Sequence, residues 1–335
     1  MRGRALALIV ATLVLIGMAG CGGSDTGASV QDAIENESNL SAINLVSESQ
    51  SGSASRLTEL VVECELPKAE PTMVYKVKLA NVDEAWVRDT AARLGLPSQS
   101  VDIEDGTFFL KGENGDLHVD RATGAIKLIT PELNLASDPL KDVREDSYYQ
   151  AAAAQFLKEK GLWPEGAVFW GVNKGNTVTL IDDDENETTY PVVMEALFLR
   201  EDLGGIPWDG VGPKISVYFG EGGKIIGVYT LWREVEEYKE YPVIEAAEAL
   251  ENVKAGKAAV YNALQQAGVV RKVELVYMSD PLGYPQEFVA PYYKVSGVTA
   301  DGTEFFAYTR ALPDGLITET PAPTYAAPAS PGSKE

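Results

Sequence analysis

Apolar and polar positions alternate through Met73-Val74-Tyr75-Lys76-Val77-Lys78-Leu79, the period of a half-buried strand. The period then changes. Asp83 is placed to cap a helix whose apolar positions are Trp86, Val87, Ala91 and Leu94, and Gly95 is placed to end it. Short alternating runs follow at 107–111, 116–120 and 125–129, separated by Gly112-Glu113-Asn114-Gly115 and Ala122-Thr123-Gly124, both hairpin turn chemistry.

The same order of elements is predicted twice more. A helix over 146–160, with Tyr149, Ala153, Phe156 and Leu157 on its apolar face and Gly161 at its end, precedes strands at 167–172, 177–182 and 190–200. A long loop, 201–212, then leads to a hairpin with arms 214–219 and 224–232 and the turn Gly220-Glu221-Gly222-Gly223. In the third segment a helix over 244–254 and a second short helix over 257–267 precede strands at 272–278, 288–298 and 304–312. Helix followed by antiparallel strands, three times over, predicts the α+β class and not a parallel α/β sheet.

The ends of the chain read differently. Arg2 and Arg4 precede an almost unbroken apolar run from Ala5 to Gly17, the shape of a secretory signal. Met18-Ala19-Gly20-Cys21 resembles the lipobox of bacterial lipoproteins. That resemblance implies cleavage after Gly20 and a lipid on Cys21, which would hold the chain on the outer face of the cytoplasmic membrane. The alternative is an ordinary cleaved signal and release. Residues 22–55 are rich in Ser, Gly, Asn and Glu and are expected to be a disordered spacer with a weak helix near 30–34, and the Pro/Ala-rich stretch beyond Thr320 is expected to be extended. The predicted organisation is a signal peptide (1–20), a tether (21–56), three α+β units (57–140, 141–240, 241–318) and a tail (319–335).

Loss of Arg2 and Arg4 with the signal takes the formal net charge from −22 to −24. Such a chain is repelled by nucleic acid and by anionic lipid surfaces, so nucleic-acid partners are excluded and the acidity serves solubility. With Cys21 lipidated, Cys64 has no partner within the chain and is expected to be a buried inert thiol; a Cys21–Cys64 disulfide remains open only if lipidation fails.

Several hairpins carry a second resemblance. Asp116-Leu117-His118-Val119-Asp120-Arg121-Ala122-Thr123-Gly124-Ala125-Ile126 resembles the closing hairpin of PepSY domains, and Ala290-Pro291-Tyr292-Tyr293-Lys294-Val295 with Gly302-Thr303-Glu304-Phe305-Phe306-Ala307-Tyr308 is similar to the two strands before it. The arms 212–219 and 223–229 with Trp232-Arg233 resemble the hairpin of extracytoplasmic regulators of the YycH and YycI type. The matches touch about a third of the chain. They imply repeated PepSY-like units and a non-catalytic module that binds or regulates a membrane kinase or protease. No catalytic residue carries over, and the departure is in the anchor, which in those regulators is a transmembrane helix.

A search for chemistry is mostly negative. His118 is the one histidine and sits in an alternating strand; no Gly-x-Ser-x-Gly or Ser-x-x-Lys accompanies it. One His and one free Cys do not make a zinc site. Set as an EF-hand loop from Asp182, the acidic run 182–187 has Glu187 where Gly is required and Val193 where a bidentate Glu is required. Gly220-Glu221-Gly222-Gly223-Lys224 lacks phosphate-loop spacing and the helix that should follow. No catalytic residue, metal or cofactor is expected. One loop stands apart. In Gly204-Gly205-Ile206-Pro207-Trp208-Asp209-Gly210 an aromatic interrupts a run of turn residues, and Trp208 and Asp209 are the candidate partner or ligand residues, with packing over a sheet edge as the alternative. Trp163, Trp170 and Trp232 are expected in the core. Two other readings stay open, a small-ligand-binding lipoprotein with a pocket near Trp208 and, more weakly, a carboxylate-based hydrolase.

The anchor reading has a direct test. Cys21→Ser is expected to move the protein from the membrane to the soluble fraction and to remove a diacylglyceryl mass from the N-terminal peptide; an unchanged membrane fraction contradicts it.

Overall fold

The computed structural model describes residues 40–42, 57–78, 80–96, 100–104, 106–181, 187–210, 213–262, 267–280 and 286–319. Cys21, the acidic run 182–186 and the Pro/Ala-rich tail lie outside them, as does the weak helix expected near residue 30. Leu40–Ala42, within the expected spacer, forms a parallel pair with Ile317–Glu319.

The chain falls into two compact units, each assembled from separate stretches. Among the described residues, one is drawn from Ala80–Glu201 and Gly212–Arg233, and the other from Cys21–Leu79, Asp202–Val211 and the stretch from Glu234 to Glu319. The strand pairing shows how separate stretches come together in each unit.

In the first unit the sheet has eight strands. From edge to edge they are Asp102–Glu104, Thr107–Leu110, Asp116–Asp120, Ile126–Ile129, Ile225–Leu231, Lys214–Phe219, Glu187–Arg200 and Ala167–Ile181, every neighbour antiparallel. The pair Ile126–Ile129 with Ile225–Leu231 joins strands of the first predicted segment to strands of the second. Helices Glu84–Arg93 and Asp146–Glu159 both cover one face. Val87, Ala91, Tyr149, Ala153 and Leu157 pack on Phe108, Leu117, Val119, Phe198, Val217 and Val228. Burial of each of the larger side chains contributes about 1.5–3 kcal/mol. Asp83 caps the first helix by accepting from Trp86 N (2.8 Å), as its position predicts. Arg93 ties the two helices by donating to the carbonyls of Lys160 (2.8 Å) and Gly161 (3.2 Å), which the second helix leaves unpaired at its end. The Asp120 carboxylate accepts from Thr123 N (2.7 Å) and Gly124 takes φ +69°, so the expected Thr-Gly turn closes its hairpin.

The second unit holds a larger and a smaller sheet. The larger runs Trp208–Gly210, Ala267–Ser279, Pro291–Thr299, Glu304–Arg310 and Ala259–Tyr261, with Glu59–Val62 also paired in parallel to Ala267–Ser279. Helix Ala246–Lys254 covers one face, where Ala249, Leu250 and Val253 pack on Val270, Tyr293, Val295, Phe305 and Ala307. The smaller sheet is Val235–Tyr241, Thr72–Val77 and Phe288–Val289. The fold is α+β, and each of the three long helices is followed by an antiparallel set. In the first two sets sequence neighbours are sheet neighbours; in the third, Ala259–Tyr261 sits against the last strand, Glu304–Arg310.

Three expectations need correction. The helix expected over 257–267 is not formed by its described residues: Ala259-Val260-Tyr261 is a strand paired with Phe306–Tyr308, because a β-branched and an aromatic residue fit a pleated sheet. The strands expected at 167–172 and 177–182 are one bulged strand, Ala167–Ile181. The loop 201–212 contains a strand, Trp208–Gly210.

On the face away from the two helices, Leu133 of the short helix Pro131–Asn134 lies directly over Gly227, where an added Cβ would overlap its side chain. Gly227→Val is therefore expected to destabilise the protein by about 1–3 kcal/mol in urea unfolding, and Leu133→Ala in the same chain to recover part of that loss. No recovery would mean that this contact is not the cause.

Candidate functional site

The candidate residues Trp208 and Asp209 lie in the Asp202–Val211 stretch of the second unit. Gly204 and Gly205 take φ of +58° and +81°, left-handed backbone that favours glycine, and Leu203 and Ile206 close the turn with two backbone bonds of 3.1 Å. Pro207 O then accepts from Tyr277 N (2.9 Å), and Trp208, Asp209 and Gly210 run in parallel beside Tyr277, Met278 and Ser279.

Asp209 is held from three directions. Its Oδ2 accepts from Lys294 Nζ (2.6 Å) and from the Tyr308 hydroxyl (3.1 Å), and its Oδ1 accepts from Gly210 N (2.7 Å). The Asp209 and Lys294 side chains are only 19% and 13% exposed, so this ion pair is partly withdrawn from water. Lys294 Nζ also lies 5.6 Å from the centre of the Phe306 ring and 5.8 Å from that of Tyr308, within cation–π range. Tyr261 stacks on Phe306 at 5.5 Å and meets Tyr308 edge-on at 5.8 Å. Burial raises the Tyr308 phenol above its ordinary value, and the adjacent Asp209 carboxylate raises it further. Tyr308 thus remains a neutral donor to Asp209 at physiological pH.

Trp208 is half-buried. Its ring centre is 6.4 Å from that of Tyr277, and it packs with Tyr75, Val77 and Val289. Tyr277 meets Tyr75 edge-on at 5.3 Å and donates to Met73 O (2.6 Å). The Asp209 contacts fix the backbone that presents the indole. The arrangement is chemically quiet: an internally satisfied carboxylate, a paired ammonium and a neutral phenol hold a loop in place.

Lys294 and Tyr308 were not singled out by the sequence reading. They lie 85 and 99 residues from Asp209, and the one available signal was a Lys interrupting the apolar strand Tyr292-Tyr293-Lys294-Val295. His118 and Cys64 lie elsewhere. His118 sits in Asp116–Asp120 with its ring 4.7 Å from that of Phe109, and burial followed by the nearby Lys127 lowers its pKa. Cys64 is partly buried against the core of the second unit, which raises its thiol. Trp163 and Trp232 pack against the first unit's core as expected. Trp170 does not: it falls at a bulge of an edge strand, is 36% exposed, and corrects the expectation of a core residue. Among the described residues no three of His, Cys, Asp and Glu gather as a metal site, and no helix is long and apolar enough to cross a membrane.

No family model and no curated protein matches the chain. Among solved structures, it is similar to an uncharacterised protein from Eubacterium rectale ATCC 33656, at 13% identity and a TM-score of 0.37 over 76% of this chain and 89% of that one. It is also similar to YycH from Bacillus subtilis, at 12% identity and a TM-score of 0.39 over 70% of this chain and 54% of that one, about half of YycH's length. Likenesses of this degree carry nothing about function.

Two outcomes are expected at the clasp. Asp209→Asn and Lys294→Met should each cost about 1–3 kcal/mol, below the value for a fully buried pair because both groups retain some water, and the double variant should lose clearly less than the sum. Additive losses would contradict a coupled pair. Because the Tyr308 phenol is raised in the folded state, the unfolded chain ionises first as pH climbs past about 10, so folding stability falls there. Tyr308→Phe should lose less stability than the native chain between pH 9 and pH 11 in urea unfolding; an equal loss would show that Tyr308 does not contribute.

Proposed function

We propose that this chain is a lipid-anchored extracytoplasmic protein that binds or regulates another envelope protein without catalysis, with the loop bearing Trp208 and Asp209 as part of its contact surface. The observation that carries the reading is the clasp. Within the second unit, the short strand Trp208–Gly210 is fixed to its sheet by a partly buried ion pair, and it carries a half-buried tryptophan. Binding residues are commonly carried on loops held by a rigid scaffold, and a preset loop loses little entropy on contact. Tryptophan is a favoured anchor of such surfaces. The lipobox at Met18–Cys21 supports the envelope location, and the PepSY-like and regulator-like hairpins support a partner of the membrane kinase or protease type.

The test is crosslinking in intact membranes followed by capture of this chain and mass spectrometry. A discrete membrane kinase or protease is expected with the native chain. It should be reduced by Trp208→Ala and by Asp209→Asn, with circular dichroism showing both variants folded. Capture unchanged by both variants would remove the loop from the surface, and no discrete partner would count against the reading as a whole.

A further inference from the structure

Leu57 is fully buried in the core of the second unit. A lipid on Cys21 would be joined to it through residues 22–56, a stretch about 120 Å long when fully extended. The pair between Leu40–Ala42 and Ile317–Glu319 shortens that connection.

Within this Ser/Asn/Glu-rich stretch, Leu40-Ser41-Ala42-Ile43-Asn44-Leu45-Val46 concentrates apolar residues, and Leu40 and Ala42 alternate about Ser41 as strand residues do. The strand forms in parallel register, Leu40 with Ile317, Ser41 with Thr318 and Ala42 with Glu319. The receiving strand starts from a fixed point. Leu316, just before it, is buried in the core of the second unit, and its N–H donates to Pro313 O (3.0 Å). Leu40–Ala42 also runs near Phe288–Val289 of the smaller sheet. All of these strands belong to the second unit.

With Leu40–Ala42 docked, the length between Cys21 and the unit is set by residues 22–39, about 60 Å fully extended. Treated as a flexible coil, the connection has a root-mean-square span of about 23 Å when docked and about 33 Å when it runs to residue 56. The pair is also small. It has three residues on each side, in parallel, and forms a two-stranded sheet among the described residues. Such a sheet opens at much lower cost than the strands that carry the core.

We infer that Leu40–Ala42 is a releasable strap. Docked on Ile317–Glu319, it holds the second unit close to the membrane; released, it lets that unit reach about twice as far. The inference rests on the lipid anchor at Cys21 in the proposed function and uses neither the Trp208 loop nor a partner.

Energy transfer between the second unit and the bilayer provides the test. The full chain carries Cys64→Ser and Glu251→Cys, with a donor dye at position 251, where the side chain is largely exposed on helix Ala246–Lys254. It is bound to vesicles of neutral phosphatidylcholine that contain an acceptor lipid. Leu40→Pro/Ser41→Pro removes two successive backbone donors and blocks pairing. The variant is expected to transfer less, by about a quarter or more, and to exchange its 317–319 amides faster, with the 246–254 peptides unchanged. Unchanged exchange at 317–319 would overturn the inference, and so would faster exchange there with unchanged transfer. Either result from a chain that floats with the vesicles leaves the anchor reading standing. A chain that does not float with them would overturn the anchor reading and the strap with it.

Discussion

The antiparallel pair between Ile126–Ile129 and Ile225–Leu231 is the contact on which the first unit depends. Each of its two strand sets has a helix on one face. Alone, each would be a four-stranded sheet with a free edge and a helix of ten or fourteen residues, little surface on which to build a core. The pairing makes one sheet of eight strands and places both helices over one continuous apolar layer. Arg93 then closes that layer from above, because the carbonyls that end the second helix lie where the end of the first can reach them.

This pairing also shapes the path of the chain. Glu187–Arg200 and Lys214–Phe219 are neighbours in the sheet and need only a hairpin between them, yet a longer segment joins them and contributes a strand to the second unit. Within the second unit, the Asp209–Lys294 pair holds that strand to its sheet. A partly buried ion pair contributes modest net stability but tolerates few alternative positions, since removing either partner strands the other charge. Parallel pairing fixes the register of Trp208, and the Phe306 and Tyr308 rings lie beside the ammonium. The proposed contact surface rests on this order: a fixed backbone first, a presented indole second.

Local signals in the sequence were faithful. Asp83 caps the helix that it was expected to cap, Gly161 follows the second long helix, and the turn at Gly220–Gly223 joins the strands expected of it, because each depends on a few neighbouring residues. Non-local features were not legible. Nothing in Ile126–Ile129 names Ile225–Leu231 as its neighbour. Val235–Tyr241 escaped notice because Glu-Glu-Tyr-Lys-Glu has neither a helical nor an alternating pattern; it is a strand through its pairing with Thr72–Val77. The run at 259–261 reads as helix by its alanines and as strand by its position against Phe306–Tyr308. At the candidate site, Trp208 and Asp209 stood out as unusual in a glycine-rich loop, whereas Lys294 and Tyr308, which give Asp209 its role, came only from the fold.

The central proposal is that the loop of residues 202–210 meets a protein partner in the envelope. Hydrogen–deuterium exchange tests it most directly in two settings, the full chain in vesicles of its native membrane and the same chain in vesicles of pure lipid. The account predicts slower exchange at the 202–210 peptides in native membrane alone, while the helix peptides of 146–159 and 246–254 exchange equally in both. Identical exchange of the 202–210 peptides in the two settings would contradict it.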